Sequence, residues 1–217
     1  MTHLVATRRY SAAVKPSAFY VFVGLVSWPV MRLVYRLRVT GLENLPADGG
    51  FVLAANHTSN FDPWPLGYPL WPRRQLFFMA KSELFNPVLG PLLRMGGTFP
   101  VRRGEHDVRA IETAVRLCRE GKIVAMFPEG TRKAKGLVKK FEHRPRSGSA
   151  RIALAAGVPL VPAAIKGTDR LTRLARVEIA YGEPVPLDDL QGLVARAAAQ
   201  TATERLMDRI YALHAAL

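Results

Sequence analysis

The sequence has a single cysteine and comparatively few acidic residues. Cys118 is the only cysteine among 217 residues, so no disulfide can form within the chain. This excludes a secreted scaffold held together by disulfides and favours a reducing compartment. Asp and Glu number 17 against 31 Lys and Arg, which gives a formal net charge of +14. A positive excess of this size suits nucleic acid, an anionic membrane surface or phosphorylated substrates.

The sequence shows no excess of glycine or proline. With 17 Gly and 16 Pro it is unlike collagen or a low-complexity chain. The hydrophobic fraction of 49% is high enough for a buried core, which excludes a wholly disordered chain. The length fits one domain, with or without a short appendage.

The sequence also has no apolar run of the length that a membrane-spanning helix needs, about 20 residues. Residues 16–31 are uncharged and rich in large apolar side chains, but this run is shorter and contains Pro29. Basic residues flank it, and Trp28 lies within it. These features favour a helix lying in the membrane interface, with Arg32 and Arg36 on anionic lipid. A helix packed on the domain core and a cleaved secretion signal stay open, although no A-x-A-like site follows.

From residue 39 onward, apolar runs alternate with helical periodicities. Six strands are predicted, at residues 51–55, 76–80, 98–101, 123–127, 160–165 and 177–181. Apolar residues at helical spacing predict a helix from Val108 to Cys118, with Gly121 as its stop signal. A shorter helix is expected over residues 149–156, ended by Gly157. Strands that alternate with helices indicate an α/β layered domain.

The C-terminal region carries a further helical pattern. We expect Asp188 to cap this helix, with Leu190, Val194 and Ala197 on its apolar face.

The sharpest local motif is His-x4-Asp, formed by His57 and Asp62. It follows the predicted strand at residues 51–55, at the carboxyl end where α/β folds tend to bind ligands. Since the residue before a proline avoids the right-handed helical region, Asp62 is predicted as a helix N-cap with Pro63 at the first helical position. A turn that folds back would bring the Asp62 carboxylate to the His57 imidazole and make a general base of fixed tautomer. A helix cap without any catalytic role is the alternative.

Basic and acidic residues follow the other predicted strands. Lys81 follows the second and Arg103 the third. After the fourth comes Phe-Pro-Glu-Gly-Thr-Arg, with a glycine that allows a tight turn and Arg132, which can hold a phosphate bidentately. If these strand ends share one edge of the sheet, three cations surround His57 and form a site for an anionic, phosphorylated substrate. Each residue by itself is equally consistent with a solvated surface charge.

Four sequence blocks in this order resemble the glycerolipid acyltransferase family, and most closely bacterial 1-acylglycerol-3-phosphate acyltransferases. They are His-x4-Asp at His57, Gly-x-x-Pro-Val-x-Arg ending at Arg103, Phe-Pro-Glu-Gly-Thr-Arg ending at Arg132, and Val-Pro-Leu-Val-Pro at residues 158–162. The resemblance implies a layered mixed sheet flanked by helices, preceded by an interfacial helical segment. We accordingly predict an N-terminal membrane-associating segment over residues 1–38 and a catalytic α/β domain over residues 39–217.

The resemblance also implies roles for individual residues. His57 would be the general base and Asp62 its orienting partner. The acceptor site would be lined by Glu129, Gly130, Thr131 and Arg132, with Arg103 and Lys81 on its phosphate. The block at residues 158–162 would border the acyl donor. One departure is Arg102, where relatives often carry an acidic or small residue, so either arginine of the pair can be the phosphate ligand.

The implied reaction moves a fatty acyl group from a thioester, acyl-coenzyme A or acyl-carrier protein, to the free hydroxyl of 1-acylglycerol 3-phosphate, giving phosphatidic acid. The transfer is expected to be direct, since no serine or cysteine nucleophile is required. No cofactor and no metal are expected. The expected partners are membrane lipids and a lysophosphatidic acid-type acceptor, at the cytoplasmic face of the cell membrane, as a peripheral or monotopic protein.

Several alternatives stay open at this point. The acceptor could instead be glycerol 3-phosphate, a 2-acyl isomer or another lysophospholipid, and the fold could serve a non-catalytic lipid-binding protein. The sequence contains no zinc-finger or RNP-like motif that would support a function in nucleic-acid binding. A metallohydrolase lacks a helical pair of histidine ligands. The basic stretch at residues 132–151 fits a lid, a membrane contact or a site for the phosphates of coenzyme A.

Overall fold

The computed structural model describes residues 15–102, 107–129 and 145–217. Its centre is one seven-stranded sheet in the order β1-β7-β6-β2-β5-β3-β4. The strands are β1 Arg38–Thr40, β2 Phe51–Ala55, β3 Leu76–Lys81, β4 Thr98–Val101, β5 Ile123–Met126, β6 Leu160–Lys166 and β7 Glu178–Tyr181. Strands β2 to β6 run parallel to one another, whereas β7 is antiparallel to β6 and β1 is parallel to β7. The predicted mixed sheet is confirmed.

Six α-helices accompany the sheet in the part of the chain that the structure describes. They are α1 Ala18–Pro29, α2 Pro63–Gly67, α3 Leu89–Met95, α4 Val108–Arg119, α5 Gly148–Ala156 and α6 Ala195–Ala216. A π-helical turn, Val30–Val34, continues α1, and a 3-10 segment, Thr168–Arg173, follows β6. Within these ranges, none of the helices combines the length and the apolar character needed to cross a bilayer.

The sheet separates two apolar layers. In β2, all five residues are buried, and alternate side chains point to opposite faces. Val52 and Ala54 pack with α4, α5 and α6. Phe51, Leu53 and Ala55 pack with α2 and with the segment that leads into β1. Because both faces of the sheet are covered, its central strands read as continuous apolar runs in the sequence.

The first described segment packs along the second of these layers. Ser17 caps α1 by accepting a hydrogen bond from the backbone N–H of Tyr20, and its own N–H donates to Gln75 Oε1 at 2.9 Å. The Trp71 indole donates to the carbonyl of Val21 at 3.0 Å. The helix is therefore joined to the body of the fold. The division of the chain at residues 38 and 39 stays a prediction.

Two expectations about elements were wrong. Strand β1 was not predicted, because it is a three-residue edge strand without an apolar pattern. At the C-terminus, Asp188 begins a short 3-10 turn instead of capping the long helix, which starts at Ala195. Val194 is 77% exposed, and Ala197 is exposed as well. Three of the seven buried residues of α6 are alanines and one is a threonine, so its buried face is weakly marked in the sequence.

Candidate active site

The His57 loop begins where β2 ends, in the middle of the sheet. Strand β2 lies between β5 and β6, and its carboxyl end shares one edge of the sheet with the carboxyl ends of β3, β4, β5 and β6. The backbone then turns back on itself, with the N–H of Asp62 donating to the carbonyl of Ser59 at 3.2 Å. This turn replaces the continuous helix that would have separated His57 from Asp62.

His57 and Asp62 form a close pair. Nδ1 of His57 lies 2.7 Å from Oδ2 of Asp62, with 14% of the histidine side chain exposed and none of the aspartate. The imidazole stacks on the Phe127 ring, with centroids 4.2 Å apart and planes inclined by 18°. With Nδ1 engaged by the carboxylate, Nε2 is the ring nitrogen that can accept a proton from a substrate. The predicted contact between the Asp62 carboxylate and the His57 imidazole is confirmed.

The Asp62 carboxylate is charged in spite of its burial. Burial raises its pKa, but hydrogen bonds from His57, Ser59, Thr168 and Thr58 together outweigh burial and lower the pKa below the ordinary value. The backbone N–H groups of Thr58 and Ser59 donate to Oδ2 at 2.7 and 2.9 Å. An anion held in this way stabilises a positive charge on the neighbouring imidazole.

The prediction that Asp62 caps a helix was wrong in one respect. Helix α2 does begin at Pro63, directly after Asp62. However, the backbone of Asp62 is in the right-handed helical region, with φ −51° and ψ −40°, and its side chain makes no capping bond to α2. The carboxylate instead points back to His57, Thr58 and Ser59. Because these donors occupy its oxygen atoms, the carboxylate does not cap α2 as an aspartate before a proline usually does.

Three residues that the sequence reading did not single out for the site support this loop. Asn56 is buried, donates to the carbonyl of Ile165 at 2.9 Å and accepts from the N–H of Ile165 at 2.8 Å. This pair of bonds ties the start of the loop to β6. Thr168 donates from its hydroxyl to Oδ1 of Asp62. Phe127 supplies the ring beneath the imidazole. Only its position at the end of a predicted apolar strand, close to where His57 follows its own strand, hinted at this contact.

The predicted substrate-binding residues lie partly within the described ranges. Glu129 follows β5 and accepts from the backbone N–H of His57 at a donor–acceptor distance of 3.4 Å. Lys81 is exposed at the carboxyl end of β3, which pairs with β5. Strand order therefore puts Lys81, Glu129 and His57 at one edge of the sheet. Among the predicted substrate-binding residues, Arg103, Gly130, Thr131 and Arg132 lie outside the described residues.

Within the described ranges, the cysteine thiol and potential metal ligands are not gathered at this site. Cys118 is buried in α4, and burial raises the pKa of its thiol to about 12. Among the described residues, no group of three or more His, Cys, Asp and Glu side chains is placed to hold a metal ion.

Comparison with known proteins places the chain in a family. The family model described as Acyltransferase matches residues 36–166, more than half of the chain. The chain belongs to this acyltransferase family. The matched range includes His57, Asp62 and Glu129, and the resemblance noted in the sequence is confirmed.

Individual relatives of this acyltransferase agree with the match. It is 36% identical over 185 residues to the 1-acyl-sn-glycerol-3-phosphate acyltransferase of Bacillus subtilis, with coverage of 83% of this chain and 89% of the relative. It is 30% identical to the enzyme of that name from Streptococcus pneumoniae, covering 80% of this chain and 65% of the relative. A chloroplastic relative from Brassica napus is 33% identical, but only 39% of its length is covered.

A solved structure shares the fold of this acyltransferase. It is the 1-acyl-sn-glycerophosphate (LPA) acyltransferase PlsC from Thermotoga maritima, with a TM-score of 0.59 and 26% identity. The likeness covers 90% of this chain and 87% of that one. The α/β fold with helices around a mixed sheet is thereby confirmed, and the protein is an acyltransferase.

Proposed function

We propose that this acyltransferase moves a fatty acyl group from an acyl thioester to the free hydroxyl of a 1-acylglycerol 3-phosphate, giving phosphatidic acid. The observation that carries the proposal is the His57–Asp62 pair, 2.7 Å apart at the carboxyl ends of the central strands. The names of the relatives in Bacillus subtilis and Streptococcus pneumoniae support the choice of acceptor.

In the proposed reaction, His57 acts as the general base. A hydroxyl is a poor nucleophile at neutral pH, so Nε2 takes its proton as the oxygen attacks the thioester carbonyl. Asp62 holds the imidazole by Nδ1 and stabilises its protonated form without accepting the proton. As the tetrahedral intermediate collapses, the carbon–sulfur bond breaks and the thiolate takes up the proton from His57. The positioned base contributes about 10²–10⁴-fold to the rate.

The acceptor is proposed to bind beside His57, at the carboxyl ends of β5, β3 and β4. Lys81 approaches from β3 and supplies positive charge for the phosphate. We keep Arg103, Glu129, Gly130, Thr131 and Arg132 as proposed acceptor-site residues on the strength of the family resemblance. Capture of the phosphate holds the hydroxyl within reach of the base, which turns a bimolecular encounter into a local step.

We propose that the protein works as a peripheral membrane protein on the cytoplasmic face of the cell membrane. On α1 and the turn after it, Gly24, Ser27 and Met31 are buried against the fold. The other side of this segment is apolar and exposed, and we call it the apolar face: Phe22, Val23, Leu25, Val26, Trp28, Leu33 and Val34. Contiguous exposed apolar surface of this kind is typical of helices that lie in a lipid interface.

The first experiment measures thiol release from palmitoyl-coenzyme A by the purified protein in lipid or detergent. Lysophosphatidic acid and glycerol 3-phosphate are supplied in parallel, each with wild type, His57→Ala and Asp62→Asn. We expect release with lysophosphatidic acid, and a loss of kcat of about 10²–10⁴-fold in both variants. No release by folded wild type with lysophosphatidic acid from either palmitoyl-coenzyme A or palmitoyl-acyl-carrier protein, or full activity of His57→Ala, would contradict the proposal. A repeat with acyl-carrier protein identifies the donor.

A second experiment tests the membrane location. Leu25, which is 62% exposed, is changed to Asp, and Leu193, which is 51% exposed in another part of the fold, is changed to Asp as a matched control. Leu25→Asp is expected to weaken sedimentation with phosphatidylcholine vesicles at least tenfold, since it places a charge on the apolar face. Equal behaviour of the two variants would reject the location.

A further inference from the structure

A strongly basic loop connects β6 to β7. Residues 166–176, here called the arginine loop, contain four basic residues and one acidic residue, a net charge of +3. Arg170, Arg173 and Arg176 are all exposed. The acidic groups nearby are Asp169, 3.6 Å from the Arg170 guanidinium, and the half-buried Glu178 at the start of β7. Positive charge therefore dominates this surface.

The arginine loop is fixed beside the end of the apolar face. Arg36 donates from Nη2 to the carbonyl of Leu174 at 3.0 Å. The backbone N–H of Val177 donates to the carbonyl of Tyr35 at 3.0 Å. Leu174 is itself 57% exposed, and Leu33, three residues before Arg36, is 70% exposed. The arginine loop therefore lies next to the end of the segment that carries the apolar face.

We propose that the arginine loop is a second membrane contact that binds the phosphates of anionic lipid headgroups. The proposal rests on the membrane location proposed above and adds a surface from the other end of the chain. Guanidinium groups bind phosphate oxygens bidentately, and three of them on one loop match a layer of headgroups. Because β6 also ends at the carboxyl edge of the sheet, this contact brings the entrance to His57 close to the lipid surface.

The test compares two triple variants that remove the same charge. One carries Arg170→Gln, Arg173→Gln and Arg176→Gln. The control changes the exposed Arg109, Arg116 and Arg196 to Gln, on helices α4 and α6, which cover the face of the sheet opposite α2. Sedimentation is measured with vesicles of phosphatidylcholine alone and with 30% phosphatidylglycerol added. Neither acyl donor nor acceptor is present, so the result is independent of the proposed reaction.

The loop variant is expected to bind anionic vesicles at least tenfold more weakly, because each basic residue near an anionic surface changes partitioning by about fivefold. The control is expected to stay within about threefold of wild type, and both variants to match wild type on neutral vesicles. Equal losses in the two variants would show that net charge alone matters and would overturn the proposal. Unchanged binding of the loop variant would overturn it as well.

A different observation carries a second inference, at the base of the arginine loop. Thr168 is 2% exposed and donates from its hydroxyl to Oδ1 of Asp62, while its Oγ1 lies 2.9 Å from Oγ1 of Thr58. It comes from a strand connection 106 residues away in sequence. The structure assigns Thr168 as a positioning residue that fixes the orientation of the Asp62 carboxylate toward His57. This inference rests on the proposed role of the pair.

The substitution Thr168→Val keeps the shape and removes the hydroxyl, and Thr168→Ser restores it. With Val, kcat is expected to fall about tenfold and KM to stay within about twofold, since the lost hydrogen bond joins a charged group that does not touch substrate. With Ser, kcat is expected to recover to within about threefold of wild type. Wild-type kcat in the Val variant, or no recovery with Ser, would overturn the assignment.

A readout without substrate separates this inference from the proposed reaction. The Thr168 hydroxyl lowers the pKa of Asp62, so its removal costs most stability where Asp62 is ionised. The difference in the free energy of unfolding between wild type and Thr168→Val is expected to be largest at pH 7 and to shrink as the pH falls below about 4. A difference that stays constant over the pH range in which Asp62 takes up its proton in the folded variant would indicate packing alone and would overturn the positioning role.

Discussion

At the scale of single residues, Asp62 contributes both to the stability of the fold and to the proposed catalysis by His57. Five donors converge on a carboxylate that is fully buried: the His57 ring, the Thr58 and Ser59 backbone N–H groups, and the hydroxyls of Thr58 and Thr168. An isolated buried carboxylate would take up a proton to escape the cost of desolvation. The hydrogen bonds outweigh that cost and keep Asp62 ionised beside the imidazole at neutral pH.

This arrangement predicts a pH-dependent contribution of Asp62 to stability. Its pKa is lower in the folded protein than in the unfolded chain, so the carboxylate stabilises the fold above the ordinary Asp range. The contribution is lost as the pH falls through the folded pKa. Asp62→Asn, which offers fewer acceptor sites to the same donors, is expected to be less stable than wild type at pH 7. Urea unfolding from pH 7 to pH 3 should show this gap narrowing, and a constant gap would contradict it.

The Cys118 thiol is predicted to be unreactive in the folded protein. It is 1% exposed, and the pKa of its thiol is raised to about 12, so almost no thiolate forms at pH 8. Ellman's reagent should react with it only after the protein is unfolded. Cys118→Ala should keep thioester-cleaving activity, with a modest loss of stability from the smaller core side chain. Rapid reaction in the native state, or loss of activity in a folded variant, would show that this interpretation is wrong.

At the scale of elements, the sequence predicts the central strands best. The run at residues 51–55 matches β2 residue for residue, because a strand buried on both faces leaves an uninterrupted apolar run. Strand β1 was missed because its pairing with β7 depends on a partner about 140 residues away. Local pattern has no information about such a partner.

The candidate site shows the same limit. The His57–Asp62 motif was found because its members are five residues apart in sequence. Asn56 and Thr168 were missed as site residues because their partners lie 109 and 106 residues away. Their importance arises from the adjacency of β2 and β6, which only the sheet order reveals.

The packing of helix α1 provides a prediction at this scale. Gly24 is buried against the Trp71 ring, and a Cβ atom added there would overlap the ring atoms. Gly24→Val is therefore expected to lower the free energy of unfolding by about 1–3 kcal/mol through overpacking. The neighbouring Leu25→Ala, on the exposed side, should change it by no more than about 0.5 kcal/mol. Guanidinium denaturation followed by tryptophan fluorescence measures both, and equal effects would contradict the described packing.

At the scale of the whole molecule, the net charge of +14 and the apolar face both favour binding to an anionic membrane, but through different interactions. Attraction between exposed charges is screened by salt, with a Debye length of about 10 Å at 0.1 M and about 3 Å at 1 M. Burial of apolar side chains does not depend on such screening. The two contributions can therefore be separated by ionic strength.

Raising NaCl from 0.05 M to 0.5 M is expected to weaken binding to vesicles with 30% phosphatidylglycerol at least tenfold, because screening shortens the range of attraction. Binding to pure phosphatidylcholine vesicles should change by less than about twofold. Vesicle sedimentation at both salt concentrations provides the measurement. Binding to anionic vesicles that is insensitive to salt would show that the positive charge has no part in membrane association.

The hydrogen bonds that join the first helix to the fold have a practical consequence for protein engineering. Ser17 bonds Gln75 and the carbonyl of Met95, and the Tyr20 hydroxyl donates to the carbonyl of Gly67 at the end of α2, the helix that follows Asp62. Deleting this helix to obtain a more soluble protein would remove these hydrogen bonds, one of which supports the helix next to Asp62. A more soluble variant should keep the helix and carry polar residues in place of its exposed apolar side chains. The hydrogen bonds between the helix and the rest of the fold are then retained.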